Sequence, residues 1–178
     1  MITYVALLRG INVAGQKKVP MAELRALMNE LSFKNVQTYI QSGNVVFQTS
    51  EQSSAVIERK ISEAIQNTFH FEVPVLVKTY SELQTIFEVN PLDKAQFEST
   101  YFTLLHHMPS EDAIETASKE QFVNESFKIT ATCVYVFPGN GYGKAKCNNN
   151  FFERKLKVSA TTRNFKTMQK LLSLCSDL

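Results

Sequence analysis

Residues 4–8 read Tyr-Val-Ala-Leu-Leu, apolar at every position, and this run constrains the fold more than any other stretch. Successive side chains of a strand point to opposite faces of its sheet. A strand built from Tyr4–Leu8 therefore needs cover on both faces. Val45–Phe47, Val73–Val77 and Cys133–Phe137 have the same character. Left in water, each Val, Leu or Phe on an open face would forfeit about 1.5–3 kcal/mol of burial. Either two halves of the chain or two chains must shield one another, and the halves are the expected solution. The same requirement argues against an RNA-recognition-type sheet, whose open face offers aromatics for base stacking.

Apolar periodicity outlines the elements. A strand over Thr3–Arg9 leads into a loop over Gly10–Val19. Met21, Leu24, Leu27, Met28 and Leu31 recur at helical spacing, with Pro20 suited to the first turn. Val36–Ile40 and Val45–Gln48 are strands joined by the tight turn Gln41-Ser42-Gly43-Asn44. Ile57, Ile61, Ala64, Ile65 and Phe69 mark a helix over 53–69, and Val73–Thr79 a strand that Pro74 places at an edge. The order β-α-β-β-α-β is the split arrangement called ferredoxin-like. Ser81–Val89 reads as a connecting helix capped by Ser81. Thr100–His106, Ser110–Gln121, Phe127–Ile129, Cys133–Phe137 and helices over 150–157 and 164–175 then give β-α-β-β-α-α. The expectation is an α+β protein of two ferredoxin-like halves packed together. Residues 1–80 form the first half, 81–99 a connecting helix and loop, and 100–178 the second half with its C-terminal helices. No sequence repeat accompanies this architectural one.

Composition narrows the class. The 178 residues are 44% hydrophobic and 20% charged, as in a globular domain. No apolar run approaches the roughly 20 residues of a membrane span, and no secretory signal opens the chain, so a cytoplasmic protein without membrane association is expected. Cys133, Cys147 and Cys175 are odd in number and form no CxxC pair, which points to reduced thiols rather than a disulfide framework or zinc site. Cys147, beside Lys144 and Lys146 in a polar loop, is the one candidate for a reactive thiol. Residues 140–178 carry eight basic and two acidic side chains, a net +6 that leaves −4 for the remainder. Such a stretch either attracts phosphates or nucleic acid or is a solvated helix face.

Three loops are candidate binding sites. In the β-α-β-β-α-β order the first two strands run parallel, so their C-terminal ends share one sheet edge. That brings Arg9, Gly10 and Asn12 beside Gln41, Ser42 and Asn44, with Lys17 and Lys18 within reach. These donors and amides suit an anion or carbonyl-rich ligand and lack the titrating group that acid–base chemistry needs. The alternative is that Asn and Gln satisfy turn backbone while Arg9 pairs with a distant carboxylate. The second loop is Gly139-Asn140-Gly141-Tyr142-Gly143-Lys144. Its spacing fits neither the Walker A pattern nor GxGxxG, yet its amides and lysines could cradle an anion. The third is Thr161-Thr162-Arg163-Asn164 at a helix N-terminus, readable as an N-cap at Thr162 or Asn164 or as an anion seat with Arg163. His106 and His107, adjacent on a strand, would face opposite ways and cannot share a metal. His70 reads as a packing residue between Phe69 and Phe71. No metal, cofactor or catalytic triad is legible.

The segments VALLRGINVAG (5–15), VPMAEL (19–24), YIQSGNVVF (39–47), GYGKAK (141–146) and SATTRNFKT (159–167) resemble the bacterial family known as domain of unknown function 1697. The resemblance implies a cytosolic α+β protein with no known cofactor and no settled activity. Ala14 stands where that family usually has Gly, Ala145 where it has Ser, and Phe165 where it has Trp. Its recurrent polar positions coincide with those that topology brings together. A binding protein for a phosphate-bearing ligand, nucleotide or nucleic acid, is the expected function. A scaffold without a small ligand and an enzyme on a small anionic metabolite are the alternatives.

Overall fold

The computed structural model describes residues 1–178. The chain divides into two compact units, Met1–Thr85 with Lys170–Leu178, and Ile86–Gln169. No helix is long and apolar enough to cross a membrane.

The first unit contains β1 (Ile2–Leu8), α1 (Met21–Glu30), β2 (Lys34–Tyr39), β3 (Asn44–Thr49), α2 (Ser54–Phe69), β4 (Val75–Thr79) and the first two thirds of α3 (Tyr80–Glu88). Its antiparallel sheet has the order β2-β3-β1-β4, the ferredoxin-like arrangement. Tyr4, Ala6 and Leu8 join Leu24 and Met28 of α1 and Ile57, Ile61 and Ile65 of α2 in one apolar cluster. Val5 and Leu7, which alternate with them, are equally buried, so β1 is dry on both faces. Pro74 precedes β4, which lies at the sheet edge as expected. Ser53 caps α2 by accepting from the Val56 N–H, and His70 ends that helix in the left-handed region at φ 63°. His70 is exposed, so its role is to turn the chain rather than to pack. The cap of α3 is Thr79, not Ser81. The Thr79 hydroxyl accepts from Glu82 N–H while the Glu82 carboxylate accepts from Thr79 N–H, a capping box.

The second unit contains β5 (Tyr101–Leu105), α4 (Glu111–Ser118), β6 (Glu125–Ile129), β7 (Cys133–Pro138), α5 (Asn149–Leu156), β8 (Ala160–Asn164) and the start of α6 (Phe165–Ser176). Its sheet order, β6-β7-β5-β8, repeats that of the first unit. It has one strand more than the sequence pattern suggests. Residues 160–164, expected to lead into a helix, pair antiparallel with β5 from Tyr101↔Asn164 to Leu105↔Ala160. This unit is therefore β-α-β-β-α-β followed by a helix. His106 and His107 lie just past the end of β5 rather than on it.

Gly43 lets the β2–β3 turn close against β1. Its φ is +75°, and a Cβ there would lie 2.6 Å from Leu8 Cβ and 2.8 Å from Ile11 Cδ1. Gly43→Ala combines left-handed strain of about 1–2 kcal/mol with overpacking of about 1–3 kcal/mol. Urea unfolding should show a loss of about 2–5 kcal/mol, against little change for Gly143→Ala, where the added methyl meets open space.

Candidate functional site

The first candidate set assembles as topology requires. Leu8 N–H donates to the Gly43 carbonyl (2.8 Å) and Arg9 N–H to the Pro74 carbonyl (3.0 Å), so both neighbours pin the tip of β1. Leu7 pairs with Asn44 across β1–β3, and Tyr39 pairs with Asn44 across β2–β3. Arg9, Gly10, Asn12, Gln41, Ser42 and Asn44 therefore share one sheet end. The loop beyond is built from left-handed residues: Gly10, Asn12, Ala14, Gly15 and Lys17 have φ between +44° and +77°. Ile40, β-branched and half-exposed, joins them at +49°.

Most polar groups of this set hold the loops themselves. Asn12 Nδ2 donates to the carbonyls of Val19 (2.9 Å) and Gln41 (2.8 Å), and its Oδ1 accepts from Val19 N–H (2.9 Å). The buried Asn44 donates to the Tyr39 carbonyl and to Ser42 Oγ. Lys17 Nζ donates to the Glu72 carbonyl at 2.6 Å. Turn satisfaction, one of the two sequence readings, thus accounts for Asn12, Asn44 and Lys17.

In the second unit, the glycine loop runs from Pro138 through a short 3-10 turn at Tyr142–Lys144. Gly139 N–H donates to the Asn124 carbonyl at 2.8 Å, and a Cβ on Gly139 would lie 2.2 Å from that oxygen, so only glycine fits. The loop's anion is the protein's own. The Glu125 carboxylate accepts from Lys146 N–H (3.0 Å), Cys147 N–H (2.9 Å) and Cys147 Sγ (2.7 Å). Burial alone would raise the Glu125 carboxyl, but the bonds from Cys147 and Lys146 outweigh it and hold it below its ordinary value. Burial, together with that carboxylate, pushes the Cys147 thiol far up. The environment is the reverse of an activating one, so Cys147 is not a reactive thiol.

The remaining candidates converge on Tyr142. Its ring stacks on Tyr101, with centroids 4.3 Å apart and planes 9° apart. Its hydroxyl accepts from Asn149 N–H (2.9 Å) and bonds to Thr162. Thr162 Oγ1 also donates to Asn149 Oδ1 (2.8 Å) and bonds to Thr103 (2.8 Å). Burial raises the Tyr142 hydroxyl despite these bonds, so it stays protonated at neutral pH. Arg163, half-buried, donates to the Thr162 carbonyl, and burial lowers its guanidinium to about 10, still charged at neutral pH. Asn164 caps α6 by accepting from Thr167 N–H at 2.9 Å.

Tyr101, Tyr142, Gly139, Gly141, Asn164 and Lys166 line a cavity of about 520 Å³, with Glu98 on its wall. Lys144 lies outside it, lining a neighbouring concavity of about 500 Å³ with Lys146, Asn140 and Glu125. Sequence reasoning missed Tyr101, Lys166 and Glu125. Only the pairing of β5 with β8 and the Tyr142 stack bring the first two together. No group of three or more His, Cys, Asp or Glu side chains is placed to hold a metal.

Two four-stranded antiparallel sheets of the same order, each carrying helices and ending in such loops, define an α+β protein of two ferredoxin-like units. The chain belongs to DUF1697, a family described as protein of unknown function, whose signature matches residues 1–135. The motifs at 141–146 and 159–167 lie beyond that match. A conserved bacterial protein from Streptococcus pneumoniae has a similar solved structure, with a TM-score of 0.76 at 23% identity over 98% of each chain. That likeness is one of fold. No curated protein matches the chain.

The Glu125 clamp predicts an acid-sensitive loop. Its folded-state value is depressed, so its contribution is complete above the ordinary carboxyl range and is lost as pH falls through the lowered value. Glu125→Gln should cost up to about 1.5 kcal/mol at pH 7, the lower end of the range for hydrogen bonds to a charged group because the carboxylate is partly exposed, and should remove the loss of stability that protonation of the carboxylate brings in acid. Thiol labelling at Cys147, slow in the native protein, should speed up in the variant.

Proposed function

We propose that this chain is a bacterial cytoplasmic protein that binds an anionic, phosphate-bearing ligand, a nucleotide or nucleic acid segment, in the cavity of the second unit. One observation carries the reading: a stacked tyrosine pair and the N-terminus of α6 with Lys166 border the same space of about 520 Å³. A volume of that order suits a small ligand. An aromatic wall offers a base about 1–3 kcal/mol of stacking. The positive end of a 12-residue helix, with a lysine in its first turn, favours a phosphate. The Glu98 carboxylate suits an amino or hydroxyl donor on the base or sugar. No reaction is assigned, because Tyr142 stays protonated and Cys147 is buried.

The test is a thermal-shift screen with nucleoside mono-, di- and triphosphates and short oligonucleotides at low salt. A ligand at about 100 times its Kd should add about 2.7 kcal/mol of stability, and that gain should shrink as salt rises. Tyr101→Ala and Lys166→Ala should each weaken binding about tenfold, a loss of about 1.4 kcal/mol, without changing the fold. The absence of any shift at millimolar ligand would remove the proposal.

A further inference from the structure

The two sheets have four edge strands, and three carry a device that caps or interrupts part of the edge. On β4 the outward N–H groups of Val77 and Thr79 donate to the carboxylates of Glu58 and Glu82, each at 2.8 Å. On β8 the Ala160 N–H donates to Glu153 at 2.8 Å. On β2 the register shifts between Lys34 and Gln37, with Asn35 at φ +53°, which breaks the edge.

The fourth edge, β6, is open at two residues. Gly139 N–H donates to the Asn124 carbonyl and Thr130 N–H to the Cys133 carbonyl. Between these bonds the register runs from Glu125↔Pro138 to Ile129↔Val134. Antiparallel pairs alternate between bonded and non-bonded. Ser126 and Lys128 therefore direct their main-chain groups to β7, while Glu125, Phe127 and Ile129 direct theirs outward. A bridge from Phe122 covers Glu125. Phe127 and Ile129 remain, with two donors and two acceptors. Beside them runs a groove of about 480 Å³ lined by Phe122, Phe127 and Ile129 together with polar residues that include Glu120, Glu125 and Lys128.

We infer that β6 is a docking edge for an extended segment of another protein that reads apolar–acidic–apolar. This stands independently of the nucleotide reading. A strand added to β6 bonds through residues opposite Phe127 and Ile129, and their side chains lie on the face of the sheet that carries Phe127 and Ile129, beside Phe122. The residue between them lies opposite Lys128, which is exposed. That is a non-bonded pair, with side chains at their closest, so an acidic residue is favoured there. A second copy of this chain is a poorer occupant. A two-fold pairing that uses both Phe127 and Ile129 sets Lys128 against the same lysine of the other copy, and like charges directly opposite repel.

Amide exchange by NMR on the full chain tests this. In the free protein the Phe127 and Ile129 amides should exchange about 100-fold faster than those of Ser126 and Lys128. A capped Thr-Val-Glu-Val-Thr peptide at millimolar concentration should slow them about tenfold, and the lysine-centred peptide should not. Lys128→Glu, a surface change that leaves the fold intact, should reverse that preference. Protection of both amides in the free protein would overturn the inference, as would failure of the glutamate peptide to slow them or a preference that survives the charge reversal. Protection that grows with protein concentration alone would assign the edge to a second copy and equally refute it.

Discussion

Strand β1 keeps no face for water, and the first unit is arranged to satisfy that condition. Every side chain from Tyr4 to Leu8 is fully buried. A slip of one residue in pairing would turn Tyr4, Ala6 and Leu8 away from α1 and α2. The strand is held in register from both sides, by β3 from Ile2↔Thr49 to Leu7↔Asn44 and by β4 from Tyr4↔Thr79 to Leu8↔Val75. Its tip is fixed as a consequence. Leu8 and Arg9 are bonded to different neighbours, and the missing side chain of Gly43 lets the β2–β3 turn reach them. The loop that follows leaves a rigid post, and it can hold a succession of left-handed residues because Asn12 ties its two ends together.

The two units share devices as well as topology. In each, a glutamate on the second helix reaches past the sheet and accepts from an outward N–H of the last strand, Glu58 to Val77 and Glu153 to Ala160. The correspondence is one of position in the fold and of local sequence, since Val56-Ile57-Glu58-Arg59-Lys60-Ile61 and Phe151-Phe152-Glu153-Arg154-Lys155-Leu156 share Glu-Arg-Lys between apolar residues. Glu125 and Glu82 likewise accept from backbone amides. These four carboxylates close main-chain groups that would otherwise attract water, ligands or another strand.

The parts of the fold legible in the sequence are those written in apolar periodicity. Both amphipathic helices of the first unit and its four strands emerge within a few residues of their observed ends, because each has one face that must be buried. Strand β8 escaped because Ala-Thr-Thr-Arg-Asn contains no apolar run. Only Ala160 and Thr161 are buried, and two adjacent threonines were the sole strand signal. The Thr79 cap was readable, since Thr79 and Glu82 stand at capping-box spacing. At the site, the neighbourhood of Arg9 with residues 41–44 follows from chain order alone. The fate of Cys147 does not. Its lysine neighbours in sequence suggested activation, whereas burial, with a carboxylate from 22 residues upstream, raises its thiol.

Electrostatics at the glycine loop decide where an external anion can sit. Loop amides that face outward with lysines nearby form an attractive seat only while nothing fills it. Here Glu125 fills it, and a phosphate entering beside Lys144 and Lys146 would meet a carboxylate already bonded three times. Elsewhere in the basic stretch Lys155 pairs with Glu120, which removes another cation from the count. The cavity around Tyr101 and Tyr142 has no such internal anion bonded into it. Its cationic side is the exposed Lys166 and the first turn of α6, and its far wall is aromatic. The charge asymmetry of the sequence is real, but internal carboxylates redistribute it, and this is why the proposed phosphate site is set at the helix that follows β8 rather than beside Lys144 and Lys146.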